Sequence, residues 1–306
     1  MTQQLNRLNN PTTVINALSV DVEEYYHATI YQNATRGIPA QSLESRVERS
    51  VERILSLLDR EHVQATFFVL GEVAELHPRM IKAIAATRHE VACHGYNHEL
   101  VSRLTPEKFQ ADIRRAKAVL EDTSGQEVIG YRAPSFSIRQ EQAWAYDMLL
   151  DEGFRYDSSL YPILHDHYGD PLAPRHPFEI RRDGHGSLIE FPIGTARLLG
   201  MNLPVGGGGY FRLLPSTLIR RGIRWVNEHE RRPIVFYFHP WELDPGQPRA
   251  RMAFRHRFRH CVGLHRTERK LSSLLRHIRF STIRDVYGLK PSHAESNHEP
   301  LDIRDS

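Results

Sequence analysis

The stretch EVACHGYNHE, residues 90–99, is the key to this chain. It opens on a short apolar run, Val91-Ala92-Cys93, and then presents His94 and His98, four residues apart. The first part reads as a buried strand; the second places polar residues at its carboxyl end. The same unit recurs along the sequence. VINALSV (14–20) runs into Asp21, with Glu23 two residues on, and VIGY (128–131) runs into Arg132. FRYDSS (154–159) carries Asp157, and PIVFYF (233–238) runs into His239. QATFFVL (64–70) and LIEFP (188–192) are further apolar runs.

Helical spacing fills the gaps. In residues 42–62 the apolar positions Val47, Val51, Ile54, Leu55 and Leu58 share one face, with Ser42 as the expected cap. EVAELHPRMIKAIAATR (72–88) reads as a helix with a break at Pro78. Thr105 and Pro106 open another that reaches about Leu120. Residues 139–152 form one closed by Gly153, and 215–229 one more. Strand–helix alternation with continuous apolar strands indicates an α/β fold with a parallel sheet buried on both faces. Roughly seven such units favour a barrel over an open sheet.

The carboxyl ends of parallel strands converge on one face, where ligands bind. Five of these strand ends carry Asp21, His94, Arg132, Asp157 and His239, a set that packing alone does not explain. A helical turn would put His94 and His98 on one face, and two imidazoles with a carboxylate make a common hydrolytic zinc shell. In an extended segment Asp21 and Glu23 face the same side, so one can hold a metal while the other takes a proton from water. Arg132, fixed before Ala133-Pro134, suits the orientation of a carboxylate. His239 follows an apolar run and is placed to give a proton to a leaving amine. Each of these residues alone has an ordinary structural explanation; the ordered combination points to hydrolysis.

The rest of the sequence sets bounds. The 306 residues carry a formal charge of +3, which gives no reason to expect nucleic acid. Cys93 and Cys261 form no CxxC, so neither a disulfide framework nor a cysteine zinc site is expected. The polar opening MTQQLNRLNNPTT and the absence of a long apolar run lead to a cytoplasmic expectation. One catalytic domain is expected over 14–290, with 1–13 and 291–306 as disordered tails. Gly206–Gly209 read as a flexible loop, since no Gly-Lys-Ser/Thr follows. Residues 249–279 hold ten Arg or Lys against the single Glu268. They read first as a solvated basic helix with a Leu264, Leu271, Leu274, Leu275 and Ile278 stripe. The second reading is contact with an anionic lipid-linked glycan or a membrane surface. Tyr25, Tyr26, Tyr161, Tyr210 and Trp241 are candidates to stack on sugar rings.

Together these motifs resemble the polysaccharide deacetylase family, the NodB-homology carbohydrate esterases, and most of all its subgroup linked to exopolysaccharide and exosortase clusters. The likeness runs from about Asn16 to His239, with a subgroup extension over about 194–290. Ser19-Val20-Asp21-Val22 matches the family's TFDD, with Asp21 on the base and Glu23 standing in for the metal aspartate that Val22 replaces. His94 and His98 match HxxxH, and Arg132-Ala133-Pro134 matches RxP, with Ser135 then Phe136 at the aromatic position. Tyr156-Asp157-Ser158-Ser159 resembles the fourth motif, and Tyr237-Phe238-His239 the fifth. The resemblance implies a distorted (β/α) barrel of about seven strands and a divalent metal, Zn2+ in many members, on Glu23, His94 and His98. It implies N-deacetylation of an amino-sugar polymer or precursor. Asp21 would be the base, His239 the acid, Arg132 the holder of Asp21, Asp157 the tuner of His239, and a backbone N–H an oxyanion donor. The competing expectations are a non-sugar C–N hydrolase on the same metal and a non-catalytic glycan scaffold. Oligomeric state is left open.

Overall fold

The computed structural model describes residues 14–28, 31, 42–165, 168–250 and 252–289. Both expected tails lie outside these.

Strands β1 (Asn16–Val22), β2 (Thr66–Val69), β3 (Glu90–Cys93), β4 (Gly130–Tyr131), β5 (Tyr156–Asp157), β7 (Gly186–Glu190) and β10 (Val235–Phe238) are parallel, in the order β10-β1-β2-β3-β4-β5-β7. β6 (Phe178–Arg182) adds antiparallel to β7, and β11 (Phe280–Ser281) pairs with β1. The ladder is open between β7 and β10. There the chain leaving β7 makes a single parallel bridge, Ile193 to Val235, and Gly194 N donates to the Val235 carbonyl at 2.9 Å. Seven parallel strands with one weak seam match the distorted barrel expected from sequence.

Alternation along the strands sorts the core into two parts. Leu18, Val20, Val22, Phe67, Val69, Val91, Cys93, Tyr131, Phe236 and Phe238 pack outward with the helices. Ala17, Phe68, Ala92, Tyr156, Val235 and Tyr237 fill the interior. The interior is not wholly apolar. At its lower end the buried Glu90 accepts from Thr66 Oγ1 (2.6 Å) and Tyr156 Oη (2.9 Å). Tyr287, just past the short helix Ile283–Val286, stacks on Phe191 there, with ring centroids 4.0 Å apart.

The helices follow the expected periodicity, with two corrections. The first, α1 (Val47–Arg60), begins five residues after Ser42, and no side chain at its N-cap position, Arg46, caps it. Glu24, from the end of β1, does so instead: its carboxylate accepts from Arg46 N (2.8 Å), Val47 N (3.1 Å) and Ser45 Oγ (2.5 Å). A cap supplied from 22 residues upstream cannot be read from local spacing. Thr105 does cap its helix, Pro106–Ser124, and Pro78 opens Pro78–Ala86 after a break at His77.

The second correction concerns Gly206–Gly209. These residues are packed against β10, where Tyr237 N donates to the Gly206 carbonyl at 2.8 Å. Gly207 has φ +111°, and a Cβ there would lie 1.9 Å from the Tyr237 carbonyl oxygen. The glycines permit close backbone approach, and the next helix, α6 (Gly208–Leu213), starts directly on them. Among the described residues no helix is long and apolar enough to cross a membrane.

Candidate active site

The strand ends of β1, β3 and β10 direct their polar side chains to one cleft, and Arg132, at the end of β4, lies buried behind it against Asp21. It has a volume of about 920 Å³, and Asp21, Glu23, His94, His98, His239 and Trp241 are among its walls. β1 runs through Val22, so Asp21 and Glu23 alternate to the interior while Val22 is buried in the helix-side core. This explains the local sequence: a ligand at position 22 would face the wrong side of the strand, and the next residue that faces the cleft is Glu23.

Glu23, His94 and His98 form a buried group whose ligating atoms lie within 4.8 Å of one another. His94 Nδ1 is 2.8 Å from the Arg132 carbonyl, which can only accept. Nδ1 therefore carries the hydrogen and Nε2 presents a lone pair, 3.9 Å from Glu23 Oε2. His98 Nε2 is 2.7 Å from the same oxygen. Yet Glu23 Oε2 has no hydrogen bond that satisfies it, and His98 Nδ1 is also buried without a partner. The other Glu23 oxygen accepts from Trp241 Nε1 at 3.1 Å. Burial pushes the Glu23 carboxyl up, but the imidazoles of His98 and His239 outweigh it and hold Glu23 well below the usual range. Burial lowers His94 to about 4, so it is neutral. An ionised carboxylate and a neutral imidazole converging with His98, with a buried lone pair unclaimed, fit a divalent cation.

His94 and His98 do not share a helical face, as the spacing had suggested. They lie on a loop, and His98 sits at φ +61°, a conformation uncommon for a non-glycine residue. Ser135 and Phe136, at the family's aromatic position, are also left-handed (φ 52° and 53°) and also line the cleft. Three such residues around one cleft mark stored backbone strain where a site is assembled.

Arg132 is fully buried. Its Nη1 donates to Asp21 Oδ1 (2.6 Å) and Ser19 Oγ (2.8 Å), and its Nε and Nη2 donate to Ser158 O and Oγ (3.0 and 2.8 Å). Its guanidinium lies over the Phe68 ring, 4.1 Å from the centroid. A charge without water needs such full pairing, and the result is one fixed position for Asp21.

His239 Nε2 faces the site, 3.7 Å from Glu23 Oε1 and 3.9 Å from Asp21 Oδ2. Its Nδ1 lies 2.7 Å from Glu242 Oε1, an acceptor, so Nδ1 donates. Glu242 is fully buried and its other oxygen lies 2.7 Å from Arg212 Nε. Burial opposes a charged His239, but Glu23, Glu242 and Asp21 outweigh it and raise it to about 9. The ring stacks on Trp241, which stacks in turn on His260 (centroids 5.0 and 4.6 Å apart).

Asp157 is not the partner of His239. In the β4–β5 register it lies beside Tyr131, whose side chain belongs to the helix-side core, so Asp157 points away from the cleft. There it accepts from Ser159 Oγ (2.5 Å) and lies beside Glu190 in the β5–β7 register. Ser158, one residue on, faces inward and holds Arg132. The carboxylate against His239 Nδ1 is instead that of Glu242, three residues on. The signal was available in His239-Pro240-Trp241-Glu242, where a tight turn brings residue i+3 back onto residue i, but only the histidine attracts notice in the sequence. Arg212 gave no such signal, being 30 residues away in chain order.

Comparison with known proteins accords with this geometry. Residues 40–148 match the family model described as polysaccharide deacetylase. That match spans just over a third of the chain, and over it the chain is similar to polysaccharide deacetylases. Residues 158–288 match a second model, described as a domain of unknown function (DUF3473). Asp21, Glu23, His94, His98 and Arg132 therefore precede the second match, whereas His239, Trp241, Glu242 and Arg212 lie within it. A peptidoglycan deacetylase of Helicobacter pylori is 31% identical over 48% of this chain and 45% of its own length. A peptidoglycan deacetylase-like protein of Gibberella zeae is 34% identical over 36% of this chain and 32% of its own. A chitooligosaccharide deacetylase of Rhizobium leguminosarum bv. trifolii is 30% identical over 47% and 60%. The chain thus spans roughly a third to three-fifths of the length of these relatives. A crystal structure of a Mycobacterium smegmatis protein assigned as a polysaccharide deacetylase shares the fold. Its TM-score is 0.59 at 21% identity, and the match covers 92% of this chain and 91% of that one.

Proposed function

We propose that this protein is a metal-dependent hydrolase that removes acetyl groups from amino sugars of a polysaccharide or its precursor. The observation that carries the reading is the Glu23–His94–His98 group, with a fixed carboxylate, Asp21, on one side and an anchored imidazole, His239, on the other. A divalent ion held by Glu23, His94 and His98, with Zn2+ best suited to two imidazoles and a carboxylate, would polarise the acetyl carbonyl and acidify the attacking water.

The protein residues have separate tasks. Asp21, oriented by Arg132, accepts the proton of the attacking water. The new C–O bond forms as the carbonyl carbon becomes tetrahedral. His239, charged and held through Nδ1 by Glu242, gives its Nε2 proton to the amide nitrogen as the C–N bond breaks. Acetic acid and a free amino sugar leave, Asp21 returns its proton to solvent, and His239 takes one up from solvent, which restores the site. The relatives named above act on peptidoglycan or chitooligosaccharide by their names, which supports an N-acetylated glycan here. A role in exopolysaccharide synthesis rests on the sequence resemblance.

The test is acetate release from N-acetylglucosamine oligomers by chelated protein, with and without added zinc, beside Asp21→Asn and Glu23→Ala. Activity that needs metal and disappears in both variants supports the proposal. Activity that survives chelation, or that Glu23→Ala retains, contradicts it.

A further inference from the structure

The strongest unabsorbed feature is the helix Phe254–Cys261, sequence FRHRFRHC, at the lip of the cleft. His256, Phe258, Arg259 and His260 line that cleft, as does Leu213 at the end of α6. A short amphipathic helix beside a polar site would normally bury its aromatic residues. This one does not. Phe254 is 74% exposed, Phe258 50% and Leu213 54%. The two phenylalanines are four residues apart and therefore share a face, with rings 6.4 Å apart and 26° from parallel.

The charge around them is of one sign. From Pro245 to Thr267 the sequence holds six arginines and no Asp or Glu. Arg255, Arg257 and Arg259 alternate with His256, Phe258 and His260, and each of these arginines is exposed. Arg257 lies 5.9 Å from the Phe254 ring centroid. The following helix, Leu264–His277, behaves differently: Leu264, Leu271, Leu274 and Leu275 are buried, the ordinary amphipathic stripe expected from sequence. The basic segment thus contains one helix that packs and one whose apolar residues face solvent.

We infer that Phe254, Phe258 and the flanking arginines form an interfacial anchor that docks the cleft lip on a membrane surface rich in anionic lipid. Exposed Phe and Leu enter the headgroup–acyl boundary, while guanidinium groups on the same short helix pair with lipid phosphates. Charge complementarity selects this occupant: a second copy of the chain would bring arginines against arginines, and a neutral glycan would not match their charge. The docked cleft would open along the bilayer plane, where a lipid-borne substrate presents itself. The inference does not depend on the deacetylase reading, since docking involves none of Asp21, Glu23, His94, His98 and His239.

The test is sedimentation of the full chain with sucrose-loaded vesicles of phosphatidylcholine alone or with phosphatidylglycerol at about a third of the lipid. Binding is expected only with the anionic vesicles and should weaken as salt rises. Phe254→Ser with Phe258→Ser should reduce partitioning by about tenfold for each buried ring. Arg255→Glu with Arg257→Glu should abolish it. All four side chains are exposed, and a thermal melt confirms that the variants fold. The inference is overturned if the wild-type chain stays in the supernatant, if the variants sediment like wild type, or if an acidic polysaccharide is retained where vesicles are not. A concentration-dependent dimer that loses Phe254 and Phe258 to its interface, with no vesicle binding, also overturns it.

Discussion

At the scale of single residues, the site depends on two buried arginines in different parts of the chain. Arg132 fixes Asp21, and Arg212 fixes Glu242, which fixes His239. Removing one member of a buried, hydrogen-bonded ion pair leaves an uncompensated charge. Arg132→Met should therefore cost about 3–5 kcal/mol of stability, measured by urea unfolding. It should also abolish activity, because Asp21 loses its orientation. Glu242→Gln keeps the shape of the side chain but loses the charge that favours protonated His239. Acetate release should fall roughly 10–100-fold, as for loss of a residue that orients a catalytic histidine. Asp157→Asn should reduce it far less, since Asp157 faces the helix layer. An equal effect of the two substitutions would contradict the assignment of Glu242.

At the scale of elements, the strand ends were legible because the apolar runs and the polar residues after them are local features. Asp21, Glu23, His94, His98 and His239 all reach the cleft from the positions that alternation and strand polarity imply, and Arg132 supports Asp21 from behind it. The misplacement of Asp157 has a simple cause: β5 has only two residues, too few to establish which side each faces, and an error of one residue reverses the face. Two other features were hidden because their partners are distant in sequence. Glu24 caps α1 across 22 residues, and the glycines before α6 answer to the backbone of β10. Glu24→Ala should cost about 0.5–2 kcal/mol, the value of a lost cap, in a denaturation experiment. Gly207→Ala should be far more severe and reduce soluble yield, because its Cβ meets the Tyr237 carbonyl. At Gly200 nothing lies within 4 Å of an added Cβ, so Gly200→Ala, with its φ of +80°, serves as a control for conformational strain alone.

For the whole molecule, the buried Asp157–Glu190 pair gives stability a pH dependence. Burial raises Asp157 to about 6, and burial together with the Asp157 charge raises Glu190 well above the usual carboxylate range. Both folded values lie above the unfolded ones, near about 4. The folded state therefore binds protons more tightly. The contribution of the pair is fully present below pH about 4 and is lost as pH rises through about 6 and beyond. Glu190→Gln should flatten the decline in unfolding free energy over that range while leaving the fold intact; an unchanged slope would show that the pair is not its source. A second consequence of the whole-chain arrangement is that the site draws on both family matches and on Asp21 and Glu23, which precede them. The deacetylase match begins at residue 40, after Asp21 and Glu23, and ends before His239. A truncation before residue 158 would retain His94, His98 and Arg132 but lose His239, Glu242 and the Trp241 bond to Glu23, so it should release no acetate even with metal.

The central claim is that Glu23, His94 and His98 hold a catalytic divalent ion in place of the family's usual aspartate-containing set. It is tested most directly by calorimetric titration of zinc into the chelated full-length protein, beside Glu23→Gln and His98→Ala. The account predicts one site per chain in the wild-type protein, and binding weakened by at least about tenfold in each variant. No binding to the wild-type chain, or one-to-one binding that both variants retain unchanged, would contradict it.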